Sequence, residues 1–444
     1  MQQQPRLPLW FLVVNWALIL SAFVLGSYLG GLRSNILPEP QQSALEIVYQ
    51  QVLDSHIEPP DENELLERAI SGMVDGLDQY SRYIPPADVA KYDEDSTGNY
   101  LGIGAKMVSH DNAVVVHYPF PGSPAEKAGL LPGDRVTAVD GTQLADAEAR
   151  LNVVNLVRGP ANTTVTLSID RDGKSIELEV PRGSVQRPCV KWAHFIDRDK
   201  GLGYLHLTGF HPTSGPQVLR AIESLEEEGT LRGLILDLRY DGGGSLDQCL
   251  DIGRAFLPSG IIATQKRRNG EDIVYKTDPS KCRWPDLPLV VLVNENSASA
   301  SEVLSGALQD HDRAVIVGKR THGKGYVNTV YSWENREFKL KLTTGSYRTP
   351  NGRNIERNLA TKVTSADKDE GGILPDITVE VTPDQQQYIF GVLHNSIEPP
   401  KQFRNEYAAV AKRYEFAVEQ PPQADKDPQF AAAIEALQTR IDDQ

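Results

Sequence analysis

Residues 287–310 read LPLVVLVNENSASASEVLSGALQD. An apolar run, LPLVVLV, stops at Asn294, crosses the small residues Ser297 to Ser301, and resumes with helical spacing. A strand buried on both faces reads as such a run, and α/β layers place their chemistry where a strand of this kind turns into a helix. A serine at that turn presents its oxygen, while the next N–H groups along the chain point at a developing negative charge. Composition alone leaves Ser297, Ser299 and Ser301 level, and a serine-rich helix start also suits a plain cap. Ala298 and Ala300 on either side of Ser299 leave room for a peptide backbone to approach.

Two neighbouring stretches have related chemistry. GKRTHGKGYVN (318–328) sets Lys324 between two glycines. A lysine serves as a base for a serine only when neutral, so burial must lower its pKa by about 3 units from ~10.4. Phosphate-loop spacing is absent. GLILDLRYDGGGSL (233–246) follows an apolar strand with Gly242 to Gly244, whose unobstructed amides suit an oxyanion hole or an anion nest. It lacks the dinucleotide-binding pattern. A Ser-His-Asp triad through His322 or His211 has no aspartate tied to either ring, and no H-x-x-x-H or H-E-x-x-H pattern is present, so neither metal nor cofactor is implied.

The rest of the chain frames these motifs. Its 444 residues are 40% hydrophobic and 24% charged, which excludes whole-chain disorder, and its net charge of −15 argues against nucleic acid as a partner. Cys189, Cys249 and Cys282 are too far apart for a zinc site or a disulfide framework. Residues 7–32 carry no charge. As a helix they would span ~39 Å, enough for a ~30 Å hydrocarbon core. The expectation is an uncleaved transmembrane anchor within 1–34, with a cleaved signal peptide as the alternative. Single Arg residues on its two flanks leave its orientation open. Anchors of this kind usually export the rest of the chain, so the body is expected on the extracytoplasmic, periplasmic side.

The class expected is α+β and multidomain. Residues 35–96 read as helical, either a small domain or a dimerisation arm making a homo-oligomer. Residues 97–183 read as a compact β-rich domain with a helix near 145–157. Residues 184–385 form the α/β block, and 386–444 a polar helical tail.

Taken together, the order of a PDZ-like block, DLRYDGGG, SASASE, GKGYV, TPNGRNIE and GGILPDI resembles the C-terminal (tail-specific) processing proteases, which are serine endopeptidases with a Ser-Lys dyad. The resemblance runs from about Ala44 to Val381 and includes LDQYSRYI and YLGIGA. It implies a crotonase-like α/β protease core with Ser299 as nucleophile and Lys324, 25 residues on, as general base. The oxyanion donors it implies are the amides of Ala300 and of Gly243 or Gly244, which sequence does not separate. Glu302, Asp310 and Thr321 fall on supporting positions. The family usually has a glutamine that orients the lysine where this chain has Asn328, one methylene shorter. By the same resemblance Leu101, Gly102, Ile103 and Gly104 hold a chain-terminal carboxylate, and the strand from Ala105 takes the tail by β-augmentation. Leu151 and Val154 would line its side-chain pocket. Partners are then protein or peptide substrates with free C-termini, and the membrane through the anchor.

Overall fold

The computed structural model describes residues 39–268, 270–357 and 371–443. The charge-free segment, and with it the expected anchor, lies outside them. Among the described residues no helix is long and apolar enough to cross a membrane. The chain divides into Met1–Gly76 and Leu77–Gln444. In the first unit Pro59-Pro60 separates helices Glu39–Ser55 and Glu62–Asp75, and the Asp61 carboxylate caps the second by accepting the Glu64 N–H at 2.9 Å. Of their apolar side chains, Leu45, Val48 and Met73 stay exposed.

The second unit is organised on a six-stranded sheet. Its order is Val190–Asp197, Leu202–Leu207, Gly233–Asp237, Leu289–Val293, Val315–Gly318 and Ile377–Thr378. The first pair is antiparallel and every later pair parallel. Helices Ser214–Glu228, Leu246–Phe256 and Ala300–Asp310 cover one face through Ile222, Phe256, Leu304 and their neighbours. The tail supplies the other layer: helix Pro428–Asp442 sets Phe430, Ala433 and Leu437 against Tyr204, Ile235 and Val290. Burial of a side chain the size of Phe430 or Leu437 contributes about 2 kcal/mol. Arg239, wholly buried, pairs with Asp237 at 2.7 Å and with Asp427, the cap of that last helix, at 2.8 Å.

A second sheet is built on strand Lys339–Arg348. It pairs along one edge with Tyr326–Ser332 and along the other with Arg82–Ile84 and, further on, Ile261–Arg267. Arg82–Ile84, inside the stretch expected to be helical, is thus a strand. Helix Pro86–Thr97 comes directly after it.

The β-rich block closes a separate core around Val114, Val136, Leu167 and Val180. The helix expected near 145–157 is broken at Asn152 into Ala147–Leu151 and Val153–Val157. Leu151 is left 84% exposed and is not among the residues lining the groove beside this helix, which corrects its expected place in the side-chain pocket.

Candidate active site

Strand Leu289–Val293 is fully buried in the middle of the parallel sheet, and the turn after it is stitched to the neighbouring strand end. Ser297 Oγ donates to the Leu238 carbonyl at 2.8 Å, Ser301 Oγ donates to the Asp241 carbonyl at 2.9 Å, and the Ala298 N–H donates to that same carbonyl at 2.9 Å. Two of the three competing serines are thereby committed to structure and wholly buried. Ser299 lines the cleft between the two sheets, and its backbone stands at φ 57°, ψ −113°, a conformation a non-glycine residue rarely holds without support.

That support is Glu302. Its carboxylate accepts the Ser299 N–H at 2.8 Å and the Lys324 N–H at 2.8 Å on one oxygen. The other oxygen takes the Thr321 hydroxyl at 2.5 Å and the Gly323 N–H at 2.6 Å. Burial pushes the Glu302 carboxyl up, and these four donors pull it back down. One carboxylate therefore ties the backbone of Ser299 to that of Lys324. The His322 N–H adds a bond to the Ser297 carbonyl at 3.0 Å. The glycines around Lys324 have a steric cause. A Cβ on Gly325 would stand 2.3 Å from the Glu356 nitrogen, and one on Gly323, at φ 87°, 2.5 Å from the Arg357 Cβ.

Lys324 lines the same cleft of about 470 Å³, with its ammonium 5.1 Å from the centre of the Tyr80 ring. Burial holds it below the ordinary lysine value of 10.5, against the upward pull of Glu302 and Glu356. Asn328 also lines the cleft, but its amide donates to Thr343 Oγ1 at 3.0 Å. Thr343 in turn donates to Asp78 at 3.0 Å, and Asp78 accepts from the Ser81 hydroxyl and from the amides of Tyr80 and Ser81. Sequence reasoning missed this Asp78–Thr343 network behind Tyr80. Its only signal was LDQYSRYI, a polar stretch far from the other motifs. Neither His211 nor His322 lines the cleft.

The glycines separate as well. The Gly243 N–H donates to its neighbour Asp241 Oδ1 at 2.8 Å, and burial pushes that carboxyl up to about 8. No bond among the described residues takes the amides of Gly244 and Ala300. A Cβ on Gly243, at φ 92°, would fall 2.8 Å from both the Ser299 Cβ and the Ala300 nitrogen, so only glycine lets this loop close on the turn.

A second groove, about 420 Å³, runs between strand Ala105–His110 and helix Val153–Val157 and ends at Gly102, Ile103 and Gly104. The carbonyls of Ile103 and Gly104 are taken by the amides of Ala125 (2.8 Å) and Phe120 (2.9 Å). Leu101 pairs with Ser184 in a two-stranded ribbon and is not among the lining residues. Val154 does line the groove. Two further residues at its end were missed by sequence reasoning: Arg158 and Arg187, which flank the Tyr100 ring at 5.2 and 5.6 Å and share Glu94. They are isolated arginines without a motif around them.

A serine and a lysine in one cleft, beside a peptide groove on its own small domain, define a class: serine peptidases that carry a PDZ domain. The family model for peptidase family S41 matches residues 201–379, and that for the PDZ domain matches 101–181. The chain is 35% identical over 339 residues to a carboxy-terminal-processing protease of Bartonella bacilliformis, covering 75% of this chain and 74% of that one. It is 31% identical over 359 residues to the carboxy-terminal processing protease CtpA of Bacillus subtilis, covering 79% and 75%. A solved photosystem II D1 C-terminal processing protease shares 29% identity over 76% of this chain and 86% of that one, with a TM-score of 0.44. The chain belongs to the carboxy-terminal-processing proteases of family S41.

Proposed function

We propose that this chain is an endopeptidase that takes a protein's C-terminal tail into the PDZ groove and cuts upstream of it with a Ser299–Lys324 dyad. The observation that carries the reading is Glu302, which holds the amides of both residues on one oxygen at 2.8 Å. Ser299 Oγ attacks the scissile carbonyl carbon and passes its proton to the neutral Lys324 amine. The amides of Ala300 and Gly244 receive the oxyanion. Lys324 returns the proton to the leaving nitrogen, and the C–N bond breaks to leave an ester on Ser299. Water, giving its proton to Lys324, then attacks the ester carbonyl, and Lys324 passes that proton to Ser299 Oγ as the ester C–O bond breaks, which frees the new C-terminus and restores both residues. In the groove, the amides of Ile103 and Gly104 and the nearby arginines favour a terminal carboxylate. An anchor within residues 1–34 and an extracytoplasmic site of action belong to the same reading, and rest on the sequence alone.

The test is incubation of the full chain with unfolded proteins and with peptides ending in a free acid or an amide, read by mass spectrometry. Ser299→Ala and Lys324→Ala are each expected to lower cleavage by at least a thousandfold, with no further loss in the double variant, because the pair acts as one unit. Amidation is expected to slow cleavage about tenfold. Substantial activity in Lys324→Ala would move the base elsewhere, and equal cleavage of acid and amide would remove the PDZ groove from recognition. Failure of a serine-reactive phosphonate to label the wild type would leave a binding protein.

A further inference from the structure

The cleft holds a second lysine to which the dyad gives no task. Strand register sets Lys341 directly opposite Val330 on one side and Arg82 on the other, with Asn328 opposite Thr343 two residues along. Directly paired residues share a sheet face. Lys341, Val330 and Asn328 all line the catalytic cleft, so this face is its wall.

Lys341 is half-buried and forms no ion pair among the described residues. The acidic groups around it are engaged elsewhere. Asp78 accepts from Thr343, Tyr80 and Ser81, while Asp93, on helix Pro86–Thr97, pairs with Lys339. The other charged groups near it are cations: Arg82 and Lys339 lie over the Tyr92 ring at 5.3 and 5.8 Å, and Lys324 lines the same cleft. Burial, and then Lys324 and Arg82, push the Lys341 ammonium down to about 8, against a smaller upward pull from Asp78, which forms no ion pair with it. A surface lysine would relax this by reaching into water. An unpaired, half-desolvated cation costs stability unless an anion meets it.

We infer that Lys341 anchors a subsite for an acidic side chain of the substrate, an aspartate or glutamate within a few residues of the bond that is cut. The strand Tyr326–Ser332 has Lys339–Arg348 as its one partner among the described strands, so its other edge is free to pair with an extended substrate. Side chains of a paired strand alternate between faces, so the preference falls at one substrate position and is absent at the adjacent ones.

This inference rests on the dyad reading, and its test separates the two. Quenched peptides with free C-termini carry Glu, Gln or Lys at each of four positions on either side of the cut. The wild type is expected to favour Glu over Gln about tenfold in kcat/KM at one position, the gain of one charge-assisted hydrogen bond. Lys341→Arg is expected to keep the preference, Lys341→Met to erase it, and Lys341→Glu to turn it toward Lys. Each comparison is a ratio of two substrates on one enzyme, so a change in folded fraction or in Lys324 ionisation cancels. Phosphonate labelling of Ser299 reports that each variant keeps its site. A flat scan in a cleaving wild type, or the same scan in wild type and Lys341→Glu, overturns the subsite and leaves the dyad standing. A wild type that neither cleaves nor labels overturns the dyad, and the subsite with it.

Discussion

The turn that carries Ser299 and the strand just after Lys324 border the same cleft, yet they are held by different means. Around Ser299, Ser297, Ser301 and Glu302 have no exposed surface, and the Ser297 and Ser301 hydroxyls and both Glu302 oxygens bond to backbone or to Thr321. Along Tyr326–Ser332 every residue is half-buried or exposed, and the side-chain bonds are hydroxyl and amide contacts that water could replace. The Ser299 side is therefore preorganised, because a strained serine backbone persists only where its surroundings over-determine it. The lysine's backbone shares that rigidity through Glu302, but its amine ends beside a softer wall. Substrate pairing on the free strand edge would stiffen that wall.

The sharpest way to break this contrast is Glu302. Removing its carboxylate leaves the Thr321 hydroxyl and the Ser299, Gly323 and Lys324 amides without their acceptor in a buried site, and each unsatisfied group costs about 1–3 kcal/mol. Glu302→Ala is expected to lose at least about 3 kcal/mol in denaturant unfolding and to abolish cleavage. Glu302→Gln keeps one acceptor oxygen but turns an NH2 toward donors, so activity should still fall by about a hundredfold or more. Near wild-type turnover in Glu302→Gln would show that the carboxylate does not hold the dyad.

A middle-sized effect is expected at Thr343, on the soft side. Thr343→Val removes the hydroxyl between Asn328 and Asp78. Both neighbours are half-buried, so water takes its place. Stability should change by less than ~1 kcal/mol, and kcat by about two- to fivefold through a freer Tyr80 ring beside Lys324. A loss as large as that of Glu302→Gln would erase the distinction between the two walls.

The same division governs what could be read from the sequence. The strand-to-helix turn at Ser299 was legible because local pattern and tertiary placement coincide there: an apolar run, a small-residue turn and a helix start are contiguous. The choice among Ser297, Ser299 and Ser301 was legible only by resemblance, since their hydroxyl partners Leu238 and Asp241 lie on another strand end. Gly243 and Gly244 could not be told apart because the Asp241 bond that separates them is a matter of backbone conformation. On the soft side, Asp78, Thr343 and Lys341 come together through strand pairing across more than 250 residues, and no local period encodes that. FAAAIEAL in the tail reads as a helix, but its seat on the central sheet is set by Tyr204 and Ile235 far upstream. Helix 145–157 failed at Asn152, where two short turns meet and leave Leu151 in solvent.

The smallest effect, and the one that discriminates most finely, is at Asn328. If its amide orients the lysine amine, Asn328→Ala should cost tenfold or more in kcat and move the pH dependence. The geometry assigns that amide to Thr343 instead. Under the proposed dyad only neutral Lys324 accepts the serine proton, so kcat is expected to rise with pH along a limb that burial sets below 10.5. Asn328→Ala is expected to leave that limb in place and to change kcat by less than about threefold. Asn328→Gln extends the amide by one methylene, about 1.5 Å. If that reaches the lysine amine, kcat rises on the plateau. If it presses on Thr343, kcat falls and unfolding comes at lower denaturant. A tenfold fall in Asn328→Ala with a displaced limb would show that the soft wall is tighter in the working enzyme than it is here, and that closure on substrate brings the amide to the base.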